Sequence, residues 1–126
     1  MGTWGEGNFD SDGARDYLNE VVVSFIGRIE TCLADEELSR LDEDGESILM
    51  PSVEILALLC EQFRARPPEE SRVKEWKEKY LQIYDEEIDG LEPAPGYKEE
   101  RRKAIEATFD RLIAQAQRYW KNLPST

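Results

Sequence analysis

Carboxylates are the side chains of this sequence that could do chemistry, since histidine is absent from its 126 residues. Its absence excludes Ser-His-Asp and Cys-His catalysis and most catalytic zinc sites. Asp10, Asp12 and Asp16 lie close together in sequence, and hard cations such as Mg²⁺ and Ca²⁺ prefer oxygen ligands. The EF-hand pattern fails, because Gly13 directly follows the second aspartate. We therefore expect Asp10 to cap a helix, with Asp12 favoured by the helix dipole, and we predict no metal and no cofactor.

Glu54 is the other carboxylate of interest, because it lies within an apolar stretch that predicts a helix buried on nearly all sides. A buried carboxylate must be paired, hydrogen-bonded or protonated. We expect it to accept hydrogen bonds from the N-terminal segment or an arginine, since no partner catalytic group is evident. The alternative function is a small metal-dependent enzyme that uses Asp10, Asp12, Asp16 and Glu54.

The charge balance favours a protein partner over nucleic acid. The chain has 28 acidic and 16 basic residues, a formal net charge of −12. Phosphate binding relies on clustered Lys and Arg, so we predict no nucleic-acid binding. Residues 35–47, which we call the acidic link, hold only Arg40 as a cation. The predicted contact surface for a basic protein consists of Asp35, Glu36, Glu37, Asp42, Glu43, Asp44 and Glu46.

The function predicted from this charge is a non-enzymatic protein-binding domain, resembling an immunity protein or an antitoxin in its action. The alternative explanation of the charge is that it only maintains solubility. Cys32 and Cys60 lie in apolar helical stretches, so we predict buried, reduced thiols. Without a signal peptide or an apolar run of membrane-spanning length, we expect a cytoplasmic protein that does not enter the membrane.

Apolar periodicity predicts one domain over residues 1–126, an all-α bundle of four main helices at about 11–33, 52–64, 70–89 and 97–122. The second helix, which has almost no polar face, is placed at the centre. Gly27 lies in mid-helix, where glycine favours close approach by another backbone. Gly90 is predicted to end the third helix. We expect a monomer, or a homodimer through the apolar stripes of the third or fourth helix.

The N-terminal segment is rich in glycine and contains Trp4, a combination that is unusual for a disordered start. Tryptophan contributes a large apolar area, and glycine permits close backbone packing. We therefore predict an ordered extension that Trp4 and Phe9 hold against the bundle, with Trp4 as a candidate binding residue.

One pattern carries a family resemblance: Met1-Gly2-Thr3-Trp4-Gly5-x-Gly7-x-Phe9-Asp10-x-Asp12-x-Ala14-x-Asp16. It resembles the signature of the bacterial family called domain of unknown function 4259 (DUF4259). The glutamate inside an apolar helix, a later tryptophan and a closing helix are also similar, with Glu54, Trp76 and residues 97–121 in these roles. The resemblance implies a bacterial source and a helical fold, and it implies no activity.

Overall fold

Four α-helices dominate the computed structural model, which describes residues 2–121. They are α1 (Asp12–Ala34), α2 (Met50–Phe63), α3 (Glu70–Glu87) and α4 (Tyr97–Lys121). A π-helical turn, Gly45–Leu49, leads into α2, and a 3-10 turn, Ile88–Leu91, follows α3. The all-α prediction is confirmed, and the predicted helix ends are correct to within two residues, apart from residue 122, which lies outside the described range.

The helices are arranged around the core in the order α1, α2, α4, α3. The most extensive contact joins α2 to α4, and α3 also packs on α4, whereas α1 contacts α2 more than α3. The helices α2 and α4 run in the same direction, since Glu46 and Glu61 pair with Arg101 and Arg111 respectively. The helices α3 and α4 are antiparallel, since Lys77 pairs with Asp110 and Asp85 with Arg102. The contact between α1 and α3 is small.

Each helix contributes an apolar face to one core. On α3, the residues at helical spacing that form its apolar stripe are buried: Val73, Trp76, Tyr80, Tyr84 and, in the 3-10 turn, Ile88. Burial of such side chains supplies most of the driving force for folding. The largest fully buried side chains are Tyr80, Tyr84, Phe109, Ile29, Leu49, Leu56, Ile105 and Leu112.

The prediction that α2 is buried on nearly all sides is wrong. Its inner face, with Val53 and Leu56, is fully buried, but Ile55 is 42 % exposed and Leu58 is 46 % exposed. The reason is geometric, because α1 and α4 cover only two adjacent sides of the helix. The bundle therefore leaves an apolar face of α2 open to solvent.

Ser11, and not Asp10, caps α1. The helix begins at Asp12, so Ser11 is the N-cap residue, and its hydroxyl accepts a hydrogen bond from the Ala14 amide at 3.2 Å. The Asp10 carboxylate binds the Gly7 amide instead. The C-terminal end of α2 is capped by Arg64, whose φ of 55° is left-handed. The Arg15 guanidinium donates to the carbonyl oxygens of Phe63 and Arg64, so α1 satisfies the free end of α2.

Gly90 does not end α3 as predicted. The helix tightens into the 3-10 turn, and the left-handed residue after that turn is Glu92, with φ 50°. Gly27 also differs from prediction, since no side chain or backbone of another element lies within 4 Å of a Cβ built there. Among residues 2–121, no other backbone packs closely against Gly27, although a glycine in mid-helix suggests such a contact.

Gly45 is the glycine that the packing requires. A Cβ at this buried position would lie 2.4 Å from the Ser39 carbonyl oxygen and 2.8 Å from that of Arg40. Both are backbone atoms, so the acidic link and the π-helical turn would have to separate.

We predict that Gly45→Ala lowers the free energy of unfolding by about 1–3 kcal/mol, the usual range for overpacking. Gly90→Ala is the matched control, because a Cβ at Gly90 has nothing within 4 Å. Urea denaturation of both variants measures the difference. Equal stabilities would contradict the assigned role of Gly45.

Candidate interaction surface

The N-terminal segment folds back on itself as a closed loop. Thr3 and Ser11 form an isolated antiparallel bridge, and the Trp4 amide donates to the Asp10 carbonyl oxygen at 2.9 Å. The Asp12 amide donates to the Gly2 carbonyl oxygen. The predicted extension is therefore a defined loop at the start of α1.

The Asp10 carboxylate lies at the centre of this loop. Its Oδ2 atom accepts from the Gly7 amide at 2.8 Å. A Cβ at Gly5 or at Gly7 would lie 2.6 Å from the same oxygen. Glycine at these two positions lets the backbone pass close to the carboxylate, and a side chain at either would have to displace the Asp10 carboxylate. Asp10 therefore has a structural role in the loop.

Phe9, and not Trp4, attaches the loop to the bundle. The Phe9 ring lies 4.7 Å from the Phe63 ring at the end of α2. The Trp4 side chain is 60 % exposed, although the Trp4 amide is held by the Asp10 carbonyl oxygen. The prediction that Trp4 holds the segment in place is therefore wrong. Its exposed ring is available for contact with a partner.

The predicted carboxylates do not converge. Asp12 and Asp16 are exposed on the first turns of α1, and Glu54 is exposed on α2 rather than buried. None of the hydrogen bonds found within residues 2–121 involves the Glu54 side chain, and the nearby Arg111 pairs with Glu61 instead. Across the same residues, no three His, Cys, Asp or Glu side chains are grouped as metal ligands. The geometry required for a four-carboxylate metal site is thus not present there.

Two acids of the acidic link have internal roles that the sequence did not indicate. Asp35 accepts hydrogen bonds from the Glu37 and Leu38 amides at 2.9 and 3.2 Å and caps the turn after α1. Glu46 binds the Arg101 guanidinium, with its shorter contact at 2.6 Å, and is only partly exposed. The other predicted surface acids are exposed, except Asp44, which is partly buried: Glu36, Glu37, Asp42, Glu43 and Asp44.

The net charge of the protein lies entirely in one half of the chain. Residues 1–63 contain 15 acidic and three basic residues, whereas residues 64–126 contain 13 of each. The half with the excess comprises the N-terminal loop, α1, the acidic link and α2. Three of its carboxylates, on Glu30, Glu46 and Glu61, bind arginines of the other half.

An acidic groove of about 520 Å³ lies where α1 and α3 end. Glu36 and Glu37 border it on one side, Glu86 and Glu87 on the other, and Ile83 contributes an apolar wall. The bases Arg40 and Lys79 also line it, so the acids of the lining exceed the bases by two. The C-terminal end of a helix carries a partial negative charge, so acids there are unfavourable by some tenths of a kcal/mol, about 0.3–1 each. Neither α1 nor α3 has a basic residue in its last turn. A cationic ligand would relieve this repulsion.

The thiols are structural rather than reactive. Cys32 and Cys60 are free and buried, as predicted. Burial raises the pKa of Cys32 to about 11 and that of Cys60 to about 12, so both stay protonated near neutral pH. The Tyr80 hydroxyl is also buried and has no partner within the described residues, and desolvation raises its pKa.

The comparison with protein families identifies the chain. The model of a family described as a domain of unknown function, DUF4259, matches residues 2–123. The chain belongs to this family. No curated protein and no solved structure gives a significant match.

The DUF4259 assignment confirms the resemblance carried by the N-terminal pattern, and the structure gives that pattern a physical explanation. Gly5, Gly7 and Asp10 form one loop around a carboxylate, and Phe9 attaches the loop to α2. Within residues 2–121, no helix has the length and apolar character needed to cross a membrane. The family description names no activity, so function has to be inferred from the surface.

We predict that Asp10→Ala loosens the N-terminal loop but leaves the bundle intact. The variant loses the acceptor for the Gly7 amide, an exposed hydrogen bond with a net contribution of about 0.5–1.5 kcal/mol. Amide hydrogen exchange should accelerate at Trp4 and Gly7 and stay unchanged in α4. Asp16→Ala is the control, and equal exchange in both variants would show that Asp10 does not hold the loop.

We predict that the Glu61–Arg111 pair contributes stability that is lost in acid. The hydrogen bond from Arg111 lowers the pKa of Glu61 below its usual value. A carboxyl with a lowered folded-state pKa stabilises the fold above its unfolded pKa, about 4.3, and loses this contribution as pH falls through the folded value.

Glu61→Gln should therefore lower the free energy of unfolding near neutral pH, by no more than about 1 kcal/mol because the pair is partly exposed. The difference from wild type should vanish at low pH in denaturation series. Glu54→Gln, on the same helix, is the control for the change of charge. A pH-independent deficit in Glu61→Gln would contradict the ion-pair assignment.

Proposed function

We propose that this DUF4259 protein is a non-enzymatic protein-binding domain whose acidic half binds a basic partner, in the manner of an immunity protein or an antitoxin. The observation that carries the proposal is the charge partition, with 15 acidic and three basic residues in 1–63 against 13 of each in 64–126. A charge confined to one half creates a directed field, which steers a complementary partner during association. Acidity that served only solubility would not need to be confined in this way.

The exposed acids of the acidic link are the proposed contact groups. Glu36, Glu37, Asp42 and Glu43 are exposed. Glu36 and Glu37 line the groove at the ends of α1 and α3. Arg40 lies 3.7 Å from Glu37 and 3.8 Å from Asp42, so this one cation is shared between two of the acids. Lys and Arg side chains form charge-assisted hydrogen bonds with carboxylates as they do with phosphates. We propose that the domain inhibits its partner by occupying a basic surface on which that partner binds an anionic ligand.

The proposed setting is the bacterial cytoplasm, where the two free thiols stay reduced. The proposed complex contains the domain as a monomer bound to the basic protein, with no cofactor and no nucleic acid. Electrostatic association of this kind is fast at low salt and weakens as salt screens the exposed charges.

We predict that the tagged protein, expressed in its native host, retains one stoichiometric basic partner at low salt and less of it at higher salt. Glu36→Gln with Glu43→Gln should weaken binding by about three- to tenfold, mainly through slower association. Glu99→Gln with Glu100→Gln, exposed in the neutral half, is the matched control and should bind like wild type. Biolayer interferometry with the recovered partner measures both rates. The proposal fails if no stoichiometric partner is recovered at either salt, or if both pairs of substitutions have the same effect.

A further inference from the structure

A second, more apolar groove lies on the acidic half, between α1 and the π-helical turn. It has a volume of about 410 Å³, and its lining is mostly apolar. The side of α1 contributes Gly27 and Thr31, and the opposite side is formed by Leu38 and Ile48. This groove is separate from the acidic groove between α1 and α3.

Gly27 opens the floor of this groove. A glycine inside a helix costs about 1 kcal/mol relative to alanine. Nothing within 4 Å of its Cβ position would be displaced by a side chain, so the described structure contains no internal reason for glycine. The missing side chain leaves room for a backbone that approaches α1 from outside.

Exposed aliphatic side chains continue from the groove along α2. Ile48 is 40 % exposed, and Ile55, seven residues later, and Leu58, ten residues later, are exposed to a similar degree. Such spacing places them on one side of the turn and helix. A row of apolar side chains in an otherwise hydrophilic chain is typical of a docking surface.

The charges around this groove select the kind of occupant. Asp44 lines it, and Asp42 and Glu43 precede it in the chain. Among the described residues that line the groove, Arg28 is the one cation and balances Asp44, and its guanidinium lies 5.7 Å from the centroid of the Phe25 ring. The excess of negative charge comes from the adjoining acids and from the acidic half as a whole. A second copy of this chain would bring two acidic halves together, so a partner with positive charge is favoured over a homodimer.

We propose that this groove is the docking site for a cationic amphipathic helix of the basic partner. The apolar stripe of that helix lies against Ile48 and Ile55, its backbone crosses α1 at Gly27, and its Lys and Arg side chains lie towards Asp44. Helices of this kind bind grooves through side chains spaced three and four residues apart. The inference rests on the proposed function and assigns the apolar part of its interface.

The test uses a defined probe, a fluorescent Leu/Lys peptide of about 14 residues, or four helical turns, with all its leucines on one face. Fluorescence anisotropy at low salt measures its binding to the full chain. Two comparison peptides separate the contributions: a Leu/Glu peptide reverses the charge, and a Ser/Lys peptide removes the apolar face. Only the Leu/Lys peptide should bind tightly.

Gly27→Leu should fill the floor of the groove and weaken binding of the Leu/Lys peptide at least tenfold. Gly13→Leu is the matched control, because it is also an exposed glycine of α1 with open space around it, and it should bind like wild type. Gly27→Ala should raise the urea midpoint of the free protein while weakening binding. Opposite effects on stability and binding are not expected if Gly27 has only a structural role.

Several results would overturn the assignment. Equal binding by Gly27→Leu and wild type would show that the groove is not the docking site. Recovery of a basic partner from the host would still support the proposal that the acidic half binds it. Equal binding of the Leu/Lys and Ser/Lys peptides would show that charge alone is recognised. Sedimentation that detects a wild-type dimer, abolished in Gly27→Leu, would assign the groove to a second copy.

Discussion

The packing of α2 against α4 is the constraint on which the rest of this structure depends. Arg101 binds Glu46 at one end of the contact, and Arg111 binds Glu61 at the other, with fully buried side chains such as Leu56 and Ile105 between them. The buried apolar contact holds the two helices together, and the ion pairs lie at its two ends in an order that matches parallel helices. With α1 on the next side of α2, the outer face of α2 has no neighbour among residues 2–121, and Ile55 and Leu58 are exposed there.

The same packing separates the charges. The helices α3 and α4 neutralise each other locally, through the Asp85–Arg102 and Lys77–Asp110 pairs. Apart from the arginines that bind Glu30, Glu46 and Glu61, the cations of α3 and α4 do not neutralise the acidic half. Most acids of the acidic link are therefore exposed to solvent. The acids at the C-terminal ends of α1 and α3 oppose the helix dipoles, so this arrangement reduces stability rather than adding to it. Departures from local rules of this kind are expected where a surface serves binding.

Much of the fold could be predicted from the sequence, because helix periodicity and helix-ending residues are local signals. Features that depend on long-range packing were not predictable. The composition of α2 shows that it is apolar, but it does not show which side its neighbours leave open. Composition therefore predicts a buried Glu54, whereas the structure exposes it. The size of Trp4 predicts burial, yet its side chain stays mostly in solvent in the closed loop, where Phe9 makes the contact with α2. Asp10 is a good cap residue by type, and only the closed loop reveals that its carboxylate is already bound to Gly7.

The central claim is that the half of the chain with the excess negative charge is the half that contacts a partner. The most direct measurement is photo-crosslinking in the native host, with a photoreactive amino acid placed either at Glu43 in the acidic link or at Glu99 in α4. Both positions are exposed, and they belong to the two different halves. We expect one crosslinked species of defined mass and basic composition from position 43, weakened by added salt in lysates, and none from position 99. Crosslinks from both positions alike, or from neither, would contradict the account.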